Sequence, residues 1–376
     1  MRYLYLIGII LLAFRAPAQV NFESGSFQNL IAKASDEGKY AMVDAYTEWC
    51  GWCRTMDTET FADTAVGTFF DGQLVAAKFD METGFGVDLA MKYRVSDYPH
   101  FLFFDGDGHL IGRLSGFKKP EDFMAAVSQV LKSENFLPPL PDPLNFDVGF
   151  PEFHRKSYLK RAERENPNPD SVITWLQSRS GLLDEATWGV VHRYVGGGVY
   201  AGEVIKFRQP LIERYGAEEV YDKLASFVFS DVKLAIKERD QSKMTQAMQL
   251  ADEILDERAA AYKLRYRMYY YQMTEEWDAY AAIGREIWLT KDTNSYELLD
   301  FVANTMLKQS APESALTEAY NWMQGLCQLQ NPGFERLYTT AWLASKVGKP
   351  SDLEHYLQKA GEVGDESEIE KLRTFK

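Results

Sequence analysis

The sequence predicts an α/β domain followed by an all-α domain. Three observations predict it. Short apolar runs alternate with helical patterns up to about residue 132. Four prolines then crowd into Leu137-Pro138-Pro139-Leu140-Pro141-Asp142-Pro143. Beyond about residue 150 no convincing strand follows, only amphipathic stretches.

Residues 20–35 read as a lead-in helix, with Phe27, Leu30 and Ile31 at helical spacing. Tyr40–Tyr46 is a buried strand that runs directly into Trp49-Cys50-Gly51-Trp52-Cys53. From Cys50 to about Phe70 the pattern is helical. Leu74–Asp80 is a second strand and Val87–Tyr93 a short helix. His100–Phe104 is a strongly apolar strand, ended by Asp105-Gly106-Asp107-Gly108, with Leu110–Leu114 as its hairpin partner. Pro120 opens a closing helix that runs to Leu131. The order is β-α-β-α-β-β-α.

The proline run fixes the chain in an extended form and removes backbone donors, which marks residues 137–149 as a linker. The domains expected are therefore 20–136 and 150–376, after an export signal at 1–19. The second is broken into helices by Pro167-Asn168-Pro169, Gly196-Gly197-Gly198, Gly216, Asn331-Pro332-Gly333 and Gly348-Lys349-Pro350. Leu337–Ala360 carries Ala341, Gly348, Leu357 and Ala360 at the spacing of a tetratricopeptide helix hairpin, and Tyr262–Trp288 reads as another. A helical-repeat domain is the expectation. Tyr266, Tyr269, Tyr270 and Tyr271 read as a helix–helix seam rather than a stacking platform. His192 and His355 stand alone and read as surface or capping residues. Cys327 reads as a buried, inert thiol.

The 376 residues carry a formal net charge of −14. Such a chain repels phosphate backbones and anionic membrane surfaces, so nucleic acid is excluded as a partner and stable membrane insertion is not expected. Arg2, the apolar run Leu4–Phe14 and Ala16-Pro17-Ala18 form the pattern of a cleaved export signal. The apolar run is about half the length of a bilayer span, against its alternative as an uncleaved anchor. Export places the protein outside the cytosol, most simply in a periplasm.

Export sets the redox surroundings of three cysteines, Cys50, Cys53 and Cys327. A Cys50–Cys53 bridge closes a loop too short to stabilise much through chain entropy, so a structural staple explains it poorly. A strand that ends in Cys-x-x-Cys opening a helix has a direct chemical logic. Unpaired N–H groups at the helix start favour an anion, which makes the Cys50 thiolate available as a nucleophile. Cys53 lies one turn on, where it can resolve a mixed disulfide. A metal site would need about four ligands. No second Cys-x-x-Cys or His-rich partner offers them, so none is expected.

This context resembles the thioredoxin superfamily over roughly residues 36–132. The apolar strand, Trp49-Cys50-Gly51-Trp52-Cys53 and the following basic Arg54 are its active-site pattern. The resemblance implies a mixed central sheet flanked by helices. It also implies that Asp44, six residues before Cys50, is a buried acid of raised pKa that takes the Cys53 proton. Lys78 matches a lysine beside that acid. Pro99 matches a cis-proline facing the cysteines, and Gly116 a glycine near the same groove, so Trp49, Trp52, Pro99 and Gly116 form the substrate surface. The motif and its helix look most like the exported branch that includes the C-terminal domain of bacterial transmembrane thiol reductases.

The function implied is disulfide exchange with protein substrates and a thiol redox partner. It needs no dissociable cofactor, and the helical domain would select a partner or make a homodimer. Trp52 stands where thioredoxin itself has proline, and residues between the cysteines tune redox poise. Reduction, oxidation and isomerisation therefore all stay open. One rival is a helical-repeat binding or assembly module with incidental cysteines; another is a metal-delivery protein.

Overall fold

A computed structural model of the chain describes residues 19–132, 134, 136–197, 199–292, 295–329 and 331–373. The expected export signal, apart from Gln19, lies outside the described residues. Two compact units result, Met1–Lys223 and Leu224–Lys376.

The first unit is built on five strands: β1 (Phe22–Glu23), β2 (Tyr40–Tyr46), β3 (Leu74–Asp80), β4 (His100–Phe104) and β5 (Leu110–Ser115). Their order across the sheet is β1-β3-β2-β4-β5. β3 lies parallel to β1 and β2, whereas β4 is antiparallel to both β2 and β5. The sheet is therefore mixed, as expected. β2 is central and buried from Ala41 to Ala45, which is why it reads as a continuous apolar run. Asp44 is the one charge in that run.

Helices α1 (Phe27–Glu37), α2 (Gly51–Thr55), α3 (Thr64–Gln73), α4 (Gly84–Tyr93) and α5 (Pro120–Val130) flank the sheet. Met42, Phe70, Phe101, Phe103 and Phe123 share one core cluster. Phe27 and Tyr93 pack edge-on against Phe104 in another aromatic group.

Three local expectations change. β1 is only two residues long, too short to show a period, yet it pairs with Ala76 and Ala77. The expected helix from Cys50 to Phe70 is interrupted. A π-helical turn, Met56–Thr60, follows α2, and Asp63 then caps α3 by accepting the amides of Ala65 and Val66. A capping carboxylate supplies partners for the orphan N–H groups of a new helix, so the chain restarts there.

The proline run is also not a free linker. Leu140 is buried, and the Leu137 N–H donates to the Ile111 carbonyl. Phe146 packs edge-on against Phe27 and Phe85, and Lys92 Nζ donates to the carbonyls of Asp142 and Asn145. Proline fixes the extended path, but the apolar residues along it bury themselves on the sheet domain.

The first unit accordingly runs on to Lys223, through α6 (Glu152–Lys156), α7 (Pro169–Gln177), α8 (Glu185–Tyr194), α9 (Val199–Lys206), α10 (Arg208–Tyr215) and the start of α11 (Ala217–Glu238). Buried charges tie these helices to the sheet domain. Lys92 pairs with Glu185 at 3.0 Å. Glu219 accepts from Arg94, from Arg113 and from the Trp188 indole. Burial opposes its charge, yet the two guanidiniums hold the Glu219 carboxyl down to about 2. His192, expected at the surface, sits beside Trp188, and burial pushes its pKa down to about 3.

The second unit, from Leu224 on, has only helices as regular elements among the described residues: the rest of α11, then α12 (Gln241–Ile254), α13 (Ala259–Thr274), α14 (Trp277–Thr290), α15 (Tyr296–Lys308), α16 (Glu313–Leu329), α17 (Phe334–Lys346), α18 (Pro350–Val363) and α19 (Glu366–Arg373), with a short 3-10 turn at Asp256–Arg258. α17 and α18 form the expected hairpin, with Ala341 and Ala360 buried and Gly348 at φ +68° in the turn. Tyr266 and Tyr270 are buried, and the Tyr266 hydroxyl donates to the Ala225 carbonyl at 2.7 Å. Tyr269, the most exposed of the four, tilts against Phe229. Cys327 is half-buried, 3.4 Å from the Thr340 hydroxyl, and burial raises its thiol pKa. His355 is exposed. No helix among the described residues is long and apolar enough to cross a membrane.

Candidate active site around Cys50 and Cys53

β2 delivers the chain to Thr47, whose carbonyl accepts the Cys50 N–H at 3.1 Å. Cys50 is then the N-cap of α2. Its Sγ accepts the Cys53 N–H at 3.0 Å, which is the capping bond a serine oxygen makes elsewhere. An N–H directed at sulfur favours its anionic form. The two cysteines are joined as a disulfide and are 4% and 3% exposed. The tryptophans beside them are 60% and 61% exposed. The disulfide thus lies just beneath the surface, with an exposed tryptophan immediately before each cysteine in sequence. Arg54 reaches back to the Glu48 carbonyl at 3.0 Å and steadies the start of the motif.

Three loops converge on this point. The Tyr98–Pro99 peptide is cis. The Pro99 carbonyl accepts the Gly116 N–H at 2.9 Å, and Gly116 has φ +76°, the left-handed region that favours glycine. Trp49 packs edge-on against Tyr98, and Trp52 stacks on Phe117. The two tryptophans therefore touch the immediate neighbours of Pro99 and Gly116. The four residues expected as a substrate surface are brought together.

Asp44 is paired with Lys78 across β2 and β3, and their charged ends lie 3.0 Å apart. Neither Asp44 oxygen makes a directed hydrogen bond among the described residues. The side chain is 1% exposed. Burial pushes its pKa up to about 6, with Lys78 pulling the other way. Burial also works against the charge of Lys78, and Asp44 together with Asp57 raises its pKa on balance. Lys78 Nζ lies 5.0 Å from the Phe22 ring centre, which supplies a cation–π contact.

Sequence reasoning missed Glu82, Tyr98, Phe117 and Arg164. The buried Glu82 accepts the Trp49 indole N–H at 3.0 Å through Oε2, while Oε1 lies 2.5 Å from Arg164. Lys160 pairs with Glu48 at 2.7 Å. The segment after α6 thus braces the cysteine motif from one side. Nothing local signals a pairing 82 residues apart in sequence. Tyr98 and Phe117 were within reach, since each adjoins a residue that was singled out.

A family model described as a thioredoxin-like domain matches residues 27–131. Thiol:disulfide interchange protein DsbD of Colwellia psychrerythraea is 32% identical over 108 residues, covering 27% of this chain and 17% of that protein. The DsbD of Escherichia coli strain K12 is 35% identical over 92 residues, 24% of this chain and 16% of that protein. The chain thus spans less than a fifth of the length of these curated relatives. The solution structure of a thioredoxin from Thermus thermophilus is 26% identical and covers 31% of this chain and 90% of that one, with a TM-score of 0.28. Residues 27–131 are a thioredoxin-superfamily domain, carrying the Cys-x-x-Cys centre of that superfamily's thiol–disulfide oxidoreductases.

Proposed function

We propose that the protein is an exported, periplasmic disulfide oxidoreductase that exchanges disulfides with protein substrates and with a thiol partner protein. The observation that carries the exchange reading is the Cys50–Cys53 disulfide at the start of α2, framed by Trp49, Trp52, cis-Pro99 and Gly116. The reading of export rests on the N-terminal pattern of Arg2, Leu4–Phe14 and Ala16-Pro17-Ala18.

In the reducing direction the Cys50 thiolate attacks one sulfur of a substrate disulfide. A Cys50–substrate bond forms, and the other substrate sulfur leaves as a thiolate and takes a proton from solvent. Cys53 then gives its proton to the Asp44 carboxylate and attacks Cys50 Sγ. The substrate's second sulfur leaves as thiolate, and the pair ends as the disulfide. Two electrons pass from the cysteine pair to the substrate. A pKa of about 6 leaves Asp44 mostly ionised at neutral pH yet close enough in basicity to hold a proton transiently. The reverse sequence oxidises a dithiol. No resident cofactor enters either direction.

The test is reduction of insulin by dithiothreitol in the presence of the full chain. Acceleration by wild type that is absent in Cys50→Ser supports exchange. Equal rates for the two proteins would leave the cysteines without this role.

A further inference from the structure

Lys78 stands between two carboxylates and serves them unequally. Its Nζ lies 3.0 Å from Asp44, with no directed hydrogen bond to either Asp44 oxygen. Its hydrogen bond goes instead to Asp57. The Asp44 side chain is 1% exposed, that of Lys78 24% and that of Asp57 45%, so the three step outward from the interior to solvent. Asp57 is brought there by the π-helical turn Met56–Thr60. Both ends of that turn are anchored: Met56 in the core, and Thr60 through its hydroxyl, which donates to the Lys118 carbonyl at 2.6 Å. Widened turns of this kind are rare in helices and concentrate at functional sites.

The resolving step gives this arrangement a use. When Asp44 takes the Cys53 proton it becomes neutral and ceases to be a counter-ion. A largely buried ammonium left without an anion would oppose that transfer. Asp57 removes the opposition, because Lys78 keeps its directed partner in either form of Asp44. The other groups around the Lys78 ammonium are the rings of Phe22, Tyr46 and Phe61. Burial, and after it the charge of Asp80, raises the Tyr46 pKa, so that phenol stays neutral. Burial is also the main cause of the raised Asp44 pKa, and the Asp57 charge adds to it against the pull of Lys78.

We infer that Asp57 is a positioning residue for the resolving step: it holds Lys78 as an alternative counter-ion while Asp44 carries the Cys53 proton, and so keeps Asp44 an effective base. The proton moves from Cys53 Sγ to an Asp44 oxygen. Lys78 stays an ammonium throughout, and Asp57 neither gives nor takes a proton. This inference rests on the exchange reading and assigns a further residue to it.

A two-phase stopped-flow trace tests it. The full chain carrying Cys327→Ala, in its dithiol form, is mixed with dithiobis(nitrobenzoic acid). The first coloured thiolate is released as Cys50 attacks, and the second as Cys53 resolves the mixed disulfide. Asp57→Asn is expected to slow the second phase about threefold more than the first, the size of one partly exposed ion pair. The acid limb of the second phase should also move to lower pH, because an undivided Lys78 favours ionised Asp44. Asp57→Glu should restore both features. With Lys78→Met in place, Asp57→Asn should change nothing further. A second phase unaffected by Asp57→Asn, slowed no more than the first, or slowed just as much with Lys78→Met in place, would overturn the inference. Absence of the first phase with Asp57 intact would instead overturn the exchange reading on which it depends.

Discussion

The indole N–H of Trp49 donates to Glu82 at 3.0 Å, and the same buried carboxylate meets Arg164 with its other oxygen. An exposed tryptophan beside Cys50 is thus held by a buried acid that a downstream segment neutralises. Glu82→Ala leaves Arg164 without its carboxylate partner and the Trp49 indole N–H without its acceptor. A loss of about 1–3 kcal/mol is expected, measured by urea unfolding of the full chain. Because Arg164 is partly exposed, the loss should fall toward the low end. Arg164→Ala should raise KM for a protein disulfide more than for a small one such as hydroxyethyl disulfide, since it loosens the surface and not the thiol.

Asp44 makes stability depend on pH with a definite sign. Its folded pKa is about 6, above the ordinary 3.8. The group therefore favours the fold fully below about pH 4, and that contribution is lost as pH rises through 6. Asp44→Asn removes the dependence. The variant should become more stable than wild type as pH rises from 4 to 7. The gain should approach about 3 kcal/mol, less what Lys78 loses with its partner. Thermal unfolding across that range measures it. The same variant should resolve mixed disulfides more slowly, by about a hundredfold, if Asp44 takes the Cys53 proton.

The strands were legible because burial on both faces writes a continuous apolar run. Tyr40–Tyr46, Leu74–Asp80 and His100–Phe104 lie where the sequence puts them. The motif around Cys50 was legible because chemistry fixes its spacing. What escaped depends on partners distant in sequence. Leu137, Leu140 and Phe146 look like linker residues until the Ile111 carbonyl and the Phe27 and Phe85 rings are there to receive them. Glu82 looks like a surface acid until Arg164 covers it. The break at Asp63 was hidden by helix-compatible residues on both sides, although the cap itself was readable.

The helical unit shows the same limit. Gly284 of α14 faces Trp322 of α16, and Gly325 of α16 faces Trp288 of α14. Each glycine leaves room for the other helix's indole. A Cβ on Gly284 would come within 2.3 Å of the Trp322 ring. Gly284→Ala is therefore expected to destabilise by about 1–3 kcal/mol despite the better helix propensity of alanine. A thermal scan of the full chain checks the sign. A rise in melting temperature would mean that the two helices separate at little cost.

The central claim is that Cys50 bonds covalently to a substrate cysteine and Cys53 releases it. The direct measurement is a trap. Cys53→Ser is reduced, mixed with a protein disulfide substrate such as insulin, quenched with acid and examined by mass spectrometry. A one-to-one adduct through Cys50 that dithiothreitol reverses is expected, and no adduct in the Cys50→Ser, Cys53→Ser double variant. An adduct that forms equally in the double variant, or that maps to Cys327, would contradict it, as would the absence of any adduct with Cys53→Ser.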